Sequence, residues 1–253
     1  MERRIDYIDI AKGIGIILVV IGHCINGHSI AGRYISSFHM PLFFFISGFC
    51  FNITRYPSLH SFAYKRMKQI MLPCLYFTIL VSCLSFLLLK DFEFSSLAKG
   101  LPGALWFLPI IFLSGTVYYP IKKYASAPGQ LILLVIMALI GYGLSHYAIT
   151  LPYSLTTLFA ATFFYGLGNM FRNLPIDRII NSSKQFQLVI IALVLLLIPF
   201  LYAICVKVPL GMAGNHILNL TCYFIAVIGT LGVLLLSNAF IFSKLYLLTK
   251  GGG

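Results

Sequence analysis

Eight apolar stretches, each near the length of a membrane crossing, constrain this chain more than any other feature. They run over residues 10–29, 37–54, 70–89, 105–121, 131–148, 153–171, 186–205 and 218–240. About 20 apolar residues at ~1.5 Å rise match a hydrocarbon core of ~30 Å. A backbone in lipid must satisfy its own hydrogen bonds, so such segments fold as helices. The expectation is an all-α, polytopic membrane bundle of about eight transmembrane helices, forming a single domain over 1–253. No repeat, low-complexity tract or appended soluble domain stands out.

Charge supports the same class. Only 9% of the residues are charged, against roughly 25% in a soluble domain. The formal net charge of +12 sits in short loops between apolar runs, so it reads as a topology signal rather than a nucleic-acid surface. With the N-terminus inside, fourteen basic residues fall on the inner side, while Arg33, Lys90, Lys99 and Lys207 fall outside. That asymmetry predicts a cytoplasmic N-terminus. Arg3 and Arg4 precede an apolar run without a small-x-small cleavage site, so the first stretch reads as a retained helix. Six scattered cysteines show neither a disulfide framework nor a zinc spacing, and no metal is implied.

The first stretch, DIAKGIGIILVVIGHCING, carries polar residues at helical spacing. Asp9, Lys12, His23 and Asn26 fall on one stripe of a 3.6-residue helix. The rise from Lys12 to His23 is roughly 16 Å, which puts the histidine near midplane if the lysine sits at the interface. An ionisable residue there faces a polar cavity or a partner. A hydrogen bond that merely glues two helices together fits equally well.

The stretch RYPSLHSFAYKRMKQIMLP reads as an inner loop with Lys65, Arg66 and Lys68 just before a helix begins. It is either an anchor on anionic headgroups or a phosphate site. In FHMPLFFFISGF, Pro41 is expected in the first turn of the second helix and Gly48 at a close helix contact. His39 reads as a solvated interface residue. Ser47 is expected at the depth of His23. Trp106 opens the fourth stretch and suits an interfacial belt. Gly166 and Gly168 read as close-packing positions, and His28, His60, His146 and His216 carry no assigned chemistry.

Taken together and in order, these stretches resemble the membrane acyltransferase 3 family, in particular its fucose-O-acetylase-like branch. The resemblance rests on YIDIAKGIGIILVVIGH, whose Lys12 and His23 match a basic residue, ten residues, then histidine. FHMPLFFFISGF, the basic stretch leading to IMLP, and ALWFL around Trp106 reinforce it. It implies transfer of an acyl group, usually acetyl, from cytoplasmic acetyl-CoA to a hydroxyl of a cell-envelope glycan or lipid-linked saccharide. It also implies residence in a bacterial plasma membrane. His23 would be the catalytic histidine, with Lys12 and Asp9 beside it in the motif. Lys65, Arg66 and Lys68 would meet the coenzyme, and Ser47, Trp106 and His39 would line the substrate path.

A neutral imidazole can act as general base on the acceptor hydroxyl or accept the acyl group itself, and burial favours that neutral form. Lys12 is too far along the helix to touch His23 and is expected to pair with Asp9 or with coenzyme phosphate. The family commonly has a further pair of spans, so the resemblance implies a chain shortened at its C-terminus. The LLTKGGG end reads equally as a natural terminus, a shortened gene product or an expression boundary. Two other readings stay open: a transporter or flippase of a lipid-linked glycan, and a non-catalytic relative.

Overall fold

The computed structural model describes residues 6–89, 103–172, 185–206, 212 and 220–250, with side chains beyond Phe240 not described. Among the described residues the chain is helical without strands. The helices are α1 (Asp6–Cys24), α2 (Ile30–Phe49), α3 (Leu59–Arg66), α4 (Leu72–Leu89), α5 (Phe107–Tyr124), α6 (Ala127–His146), α7 (Thr157–Arg172), α8 (Gln185–Cys205) and α9 (Thr221–Lys250). Arg3, Arg4, Lys90, Lys99, Arg178, Lys184, Lys207 and His216 lie outside the described residues.

Among the described residues, five helical segments are long and apolar enough to cross a membrane: Asp6–Cys24, Leu59–Leu88, Ala127–His146, Phe186–Cys205 and Thr221–Phe240. Their outer faces carry large apolar side chains, and only 11% of the window in Leu59–Leu88 is buried by the rest of the protein. Leu75, Tyr76, Phe77, Leu80, Leu84 and Leu87 all point away from the protein. Water does not tolerate a face of that extent, and lipid solvates it at no cost. The protein is therefore a multi-pass membrane protein.

The described residues fall into two compact units. One holds α1, α2 as far as Ile46, α8 and α9. Here α9 packs against both α1 and α8. Small residues let α9 approach its neighbours closely: a Cβ on Gly229 would lie 2.6 Å from Phe38 Cγ of α2, and one on Gly232 would lie 2.9 Å from Leu196 Cγ of α8. The other unit holds Ser47–Met170. Its core is an aromatic cluster of Phe51, Tyr56, Phe62, Tyr118, Tyr119 and Tyr165 around Leu134.

Several expected boundaries shift. The helix α1 ends at Cys24, so Asn26 leaves the polar stripe and instead builds a turn. Its Oδ1 accepts from the His28 amide at 2.9 Å, and its carbonyl accepts from Ser29 Oγ at 2.6 Å. The early end also puts His23 at the C-terminal tip of α1, away from the middle, and its side chain is exposed rather than buried. The second helix starts at Ile30, seven residues before the expected edge, so Pro41 lies in its interior and His39 in its middle.

Arg33, expected in an outer loop, is a buried residue of α2. Its Nε donates to Ala203 O at 2.9 Å and its Nη1 donates to His28 O. A helix hides a guanidinium only when carbonyls satisfy it. The basic stretch is helical too: Ser58 caps α3, and Lys65 and Arg66 form its last turn. A wide π-type turn over Met67–Met71 joins α3 to α4.

Candidate functional site

Two groups of polar residues stand out, one in each unit. In the first unit, Lys12 Nζ donates to Asp9 Oδ1 at 3.1 Å, one turn apart on α1. Both side chains are partly exposed, at 44% and 35%, so this pair contributes little stability and orients Lys12 instead. About three turns beyond it, His23 stands in the last turn of the same helix. The packed seam of α1 is Ile8, Ala11 and Gly15. At ~100° per residue, Lys12 and His23 both fall beside that seam, on one flank of it. His39 is half-buried, and its Nδ1 lies 2.8 Å from Ile35 O. A carbonyl only accepts, so Nδ1 carries the proton and Nε2 keeps a lone pair.

In the second unit, Ser47, Phe62, Arg66, Ile70, Ile111, Phe112 and Tyr165 line a small, partly open cleft. The three basic residues of the expected phosphate site part company here. Lys65 and Lys68 are exposed, with their ammonium groups 5.6 Å from the Tyr56 ring centre and 4.5 Å from that of Tyr64. Arg66 is half-buried, lies over the Phe62 ring at 5.9 Å, and is in electrostatic contact with Tyr165. It is Arg66 that faces the cleft, together with Ser47. The widened turn that follows Arg66 is a local irregularity of a kind frequent at functional sites, because it rotates one part of a helix against the next.

A polar scaffold holds the cleft wall. Asn169, one turn after Tyr165, donates through Nδ2 to Gly48 O at 3.1 Å and to Phe51 O at 2.8 Å. These carbonyls lie at and just beyond the end of α2, and Gly48 O also accepts from the Phe51 amide at 3.0 Å. Tyr118 Oη stands 3.2 Å from both Asn169 Oδ1 and Gln130 Oε1 and has one proton for either. The backbones come so close at Gly48 that a Cβ there would lie 1.7 Å from Tyr165 O. Gly166 packs on Leu134 and Tyr118, as its small size implied.

Tyr165 and Asn169 had escaped the sequence reading. Their signal was present: two hydrogen-bonding side chains at i and i+4 in an otherwise apolar stretch. Trp106 is half-buried in the turn before α5, edge-on to Phe107, and is not among the residues lining the cleft.

The cleft can hold an anionic or carbonyl group between a guanidinium, a serine hydroxyl and a phenol on apolar walls. It is far smaller than the ~300–1,000 Å³ pocket that encloses a whole small molecule. It therefore suits one part of a long substrate, such as a phosphate or an amide-bearing arm. No curated protein and no solved structure matches the chain. A family profile described as an acyltransferase domain, acyltransferase 3, matches residues 5–253. The chain therefore belongs to the acyltransferase 3 family of membrane acyltransferases.

Proposed function

We propose that this protein moves an acetyl group from cytoplasmic acetyl-CoA to a hydroxyl of a cell-envelope glycan, with His23 as the catalytic histidine. The observation that carries the donor side is Arg66, the one basic residue of its stretch that lines a cleft. Arg66 holds a phosphate or the polar arm of the coenzyme, and Ser47 and the Tyr165 hydroxyl supply further donors. Lys65 and Lys68, exposed on the same helical segment, add a cationic rim that draws the polyphosphate in.

On the acceptor side, an imidazole nitrogen of His23 takes the hydroxyl proton while the oxygen attacks the thioester carbonyl. The new C–O bond forms, the C–S bond breaks, and the departing thiolate receives the proton. The exposed tip of α1 gives a large saccharide room to approach, and His39 lines its path. Lys12, held by Asp9, stays at the opposite end of α1. The remaining helices α2, α5 and α7 complete eight spans in a bacterial plasma membrane, with the N-terminus in the cytoplasm.

The test is transfer of label from acetyl-CoA to envelope glycan, comparing the parent chain with His23→Ala and Arg66→Ala at equal membrane abundance. Label with the parent and loss with both variants is the expected result. Equal label from parent and His23→Ala removes His23 from the chemistry. Glycan movement without any acetyl transfer would point instead to a transporter.

A further inference from the structure

The helices α1 and α2 run antiparallel, and two glycines fix their register. A Cβ on Gly15 would meet Phe43 Cζ at 2.9 Å and Leu42 Cδ2 at 3.3 Å, while a Cβ on Gly22 would meet Ile35 Cγ2 at 3.4 Å. His39 lies between these two contacts, one turn after Ile35 and three residues before Leu42. At 3.6 residues per turn, positions 35, 39, 42 and 43 share one stripe, so His39 belongs to the face that meets α1. His23 follows Gly22 directly and flanks the same seam from the other side.

Along the helix axes, His23 and His39 are offset by roughly 7 Å. Side chains on a helix lean towards its own N-terminus. In an antiparallel pair those two leans converge, so the imidazoles approach each other across the seam. In keeping with this, the charge of His23 is felt at His39. The ring of His39 is also fixed. Its Nδ1–H donates to Ile35 O, which leaves the Nε2 lone pair on the edge away from that backbone. Among the described residues neither Nε2 of His39 nor either nitrogen of His23 has a hydrogen-bond partner.

We propose that His39 is a positioning residue for His23: its fixed Nε2 lone pair receives an N–H of His23, directly or through one water, and turns the opposite lone pair of His23 towards the acceptor. An exposed imidazole at a helix tip has two tautomers and a free ring torsion. A fixed acceptor beside it selects one tautomer and one orientation. The inference rests on the reading of His23 as the base, yet its test does not depend on acetyl transfer.

Diethyl pyrocarbonate acylates the imidazole lone pair, so its rate at His23, mapped by peptide mass spectrometry on the purified full chain, reports how available that lone pair is. In His39→Leu the rate at His23 should fall by about tenfold, the scale of losing a residue that orients an imidazole. In His39→Gln, which keeps an acceptor near the Nε2 position, most of the rate should return. The reverse variant, His23→Ala, alters an exposed side chain and should raise labelling of His39 severalfold, because its Nε2 has lost its donor. It carries the test should His39→Leu fail to fold.

An unchanged rate at His23 in His39→Leu, or unchanged labelling of His39 in His23→Ala, would overturn the pair and leave His39 a packing residue. Coupled reactivity in a chain that transfers no acetyl would keep the pair and sink the acetyltransferase reading. In an active chain, His39→Leu should lower kcat and leave KM for acetyl-CoA unchanged, since His39 touches neither the donor nor the cleft.

Discussion

Arg66 differs from Lys65 and Lys68 in where it stands rather than in its charge. Exposed cations interact through water and salt, and each contributes on the order of 0–1 kcal/mol. A half-buried guanidinium that meets an anion makes charge-assisted hydrogen bonds of about 1.5–3 kcal/mol. On that scale Arg66→Ala should raise KM for acetyl-CoA by about 10–100-fold, at a tenfold change per ~1.4 kcal/mol. Lys65→Ala and Lys68→Ala should stay within about threefold. Arg66→Lys should recover only part of the loss, because an ammonium lacks the planar fork. Initial rates on isolated membranes separate these outcomes, and equal losses at all three positions would show that charge alone matters. Asn169 acts on stability instead. Asn169→Leu would leave the Gly48 and Phe51 carbonyls without their side-chain donor. Gly48 O keeps the Phe51 amide, so the change removes two hydrogen bonds at about 0.5–1.5 kcal/mol each, and a loss of roughly 1–3 kcal/mol is expected, read as a lower melting temperature in detergent. An unchanged melt would mean that Asn169 does not hold the end of α2.

At the scale of elements, the wide turn over Met67–Met71 decides which way Arg66 points relative to α4. A π-type turn is in effect one residue inserted into an α-helix. Deleting Gln69, an exposed residue, would restore regular winding and rotate α3 against α4 by about 100°. Acetyl transfer should then be lost while membrane abundance is kept, whereas Gln69→Ala should behave like the parent. If the deletion variant stays active, the turn is incidental. The helix contact at Gly48 gives a second expectation. A methyl there would fall 1.7 Å from a backbone carbonyl, whereas at Gly15 the nearest atom is a side-chain carbon at 2.9 Å. A phenylalanine ring can shift and a backbone cannot, so Gly48→Ala should lower the melting temperature well beyond Gly15→Ala, by the ~1–3 kcal/mol typical of overpacking. These features also mark what the sequence made legible. Apolar length and small residues revealed the spans and the close contacts at Gly48 and Gly166. The start of α2 stayed hidden because Arg33 looks like a loop charge until its acceptor, the Ala203 carbonyl, is known from 170 residues away. The cleft stayed hidden for a similar reason. Ser47, Arg66 and Tyr165 come from three distant segments, and local spacing says nothing of their meeting.

For the whole molecule, the open question is which ends of the helices face the cytoplasm. Among the described residues of the second unit, the lysines and arginines gather at one end. Tyr119, near the end of α5, donates to Tyr56 O at 3.1 Å, which brings Lys122 and Lys123 to the same end as Arg55. Lys65 lies over the Tyr56 ring and joins them. From that end α6 runs 20 residues, about 30 Å, to His146. Among the described residues the two ends therefore differ in cationic charge, and positive residues stay on the cytoplasmic side. Tyr124 and Tyr147, 79% and 75% exposed at opposite ends of α6, are suited to report it. In a background with all six native cysteines replaced, a membrane-impermeant maleimide on intact cells should label Tyr147→Cys and spare Tyr124→Cys until the membrane is opened. That pattern puts Arg66 on the side where acetyl-CoA is made. The reverse pattern would place the cleft away from the cytoplasm, and a cytoplasmic donor could then not reach Arg66 directly, however well its guanidinium fits a phosphate.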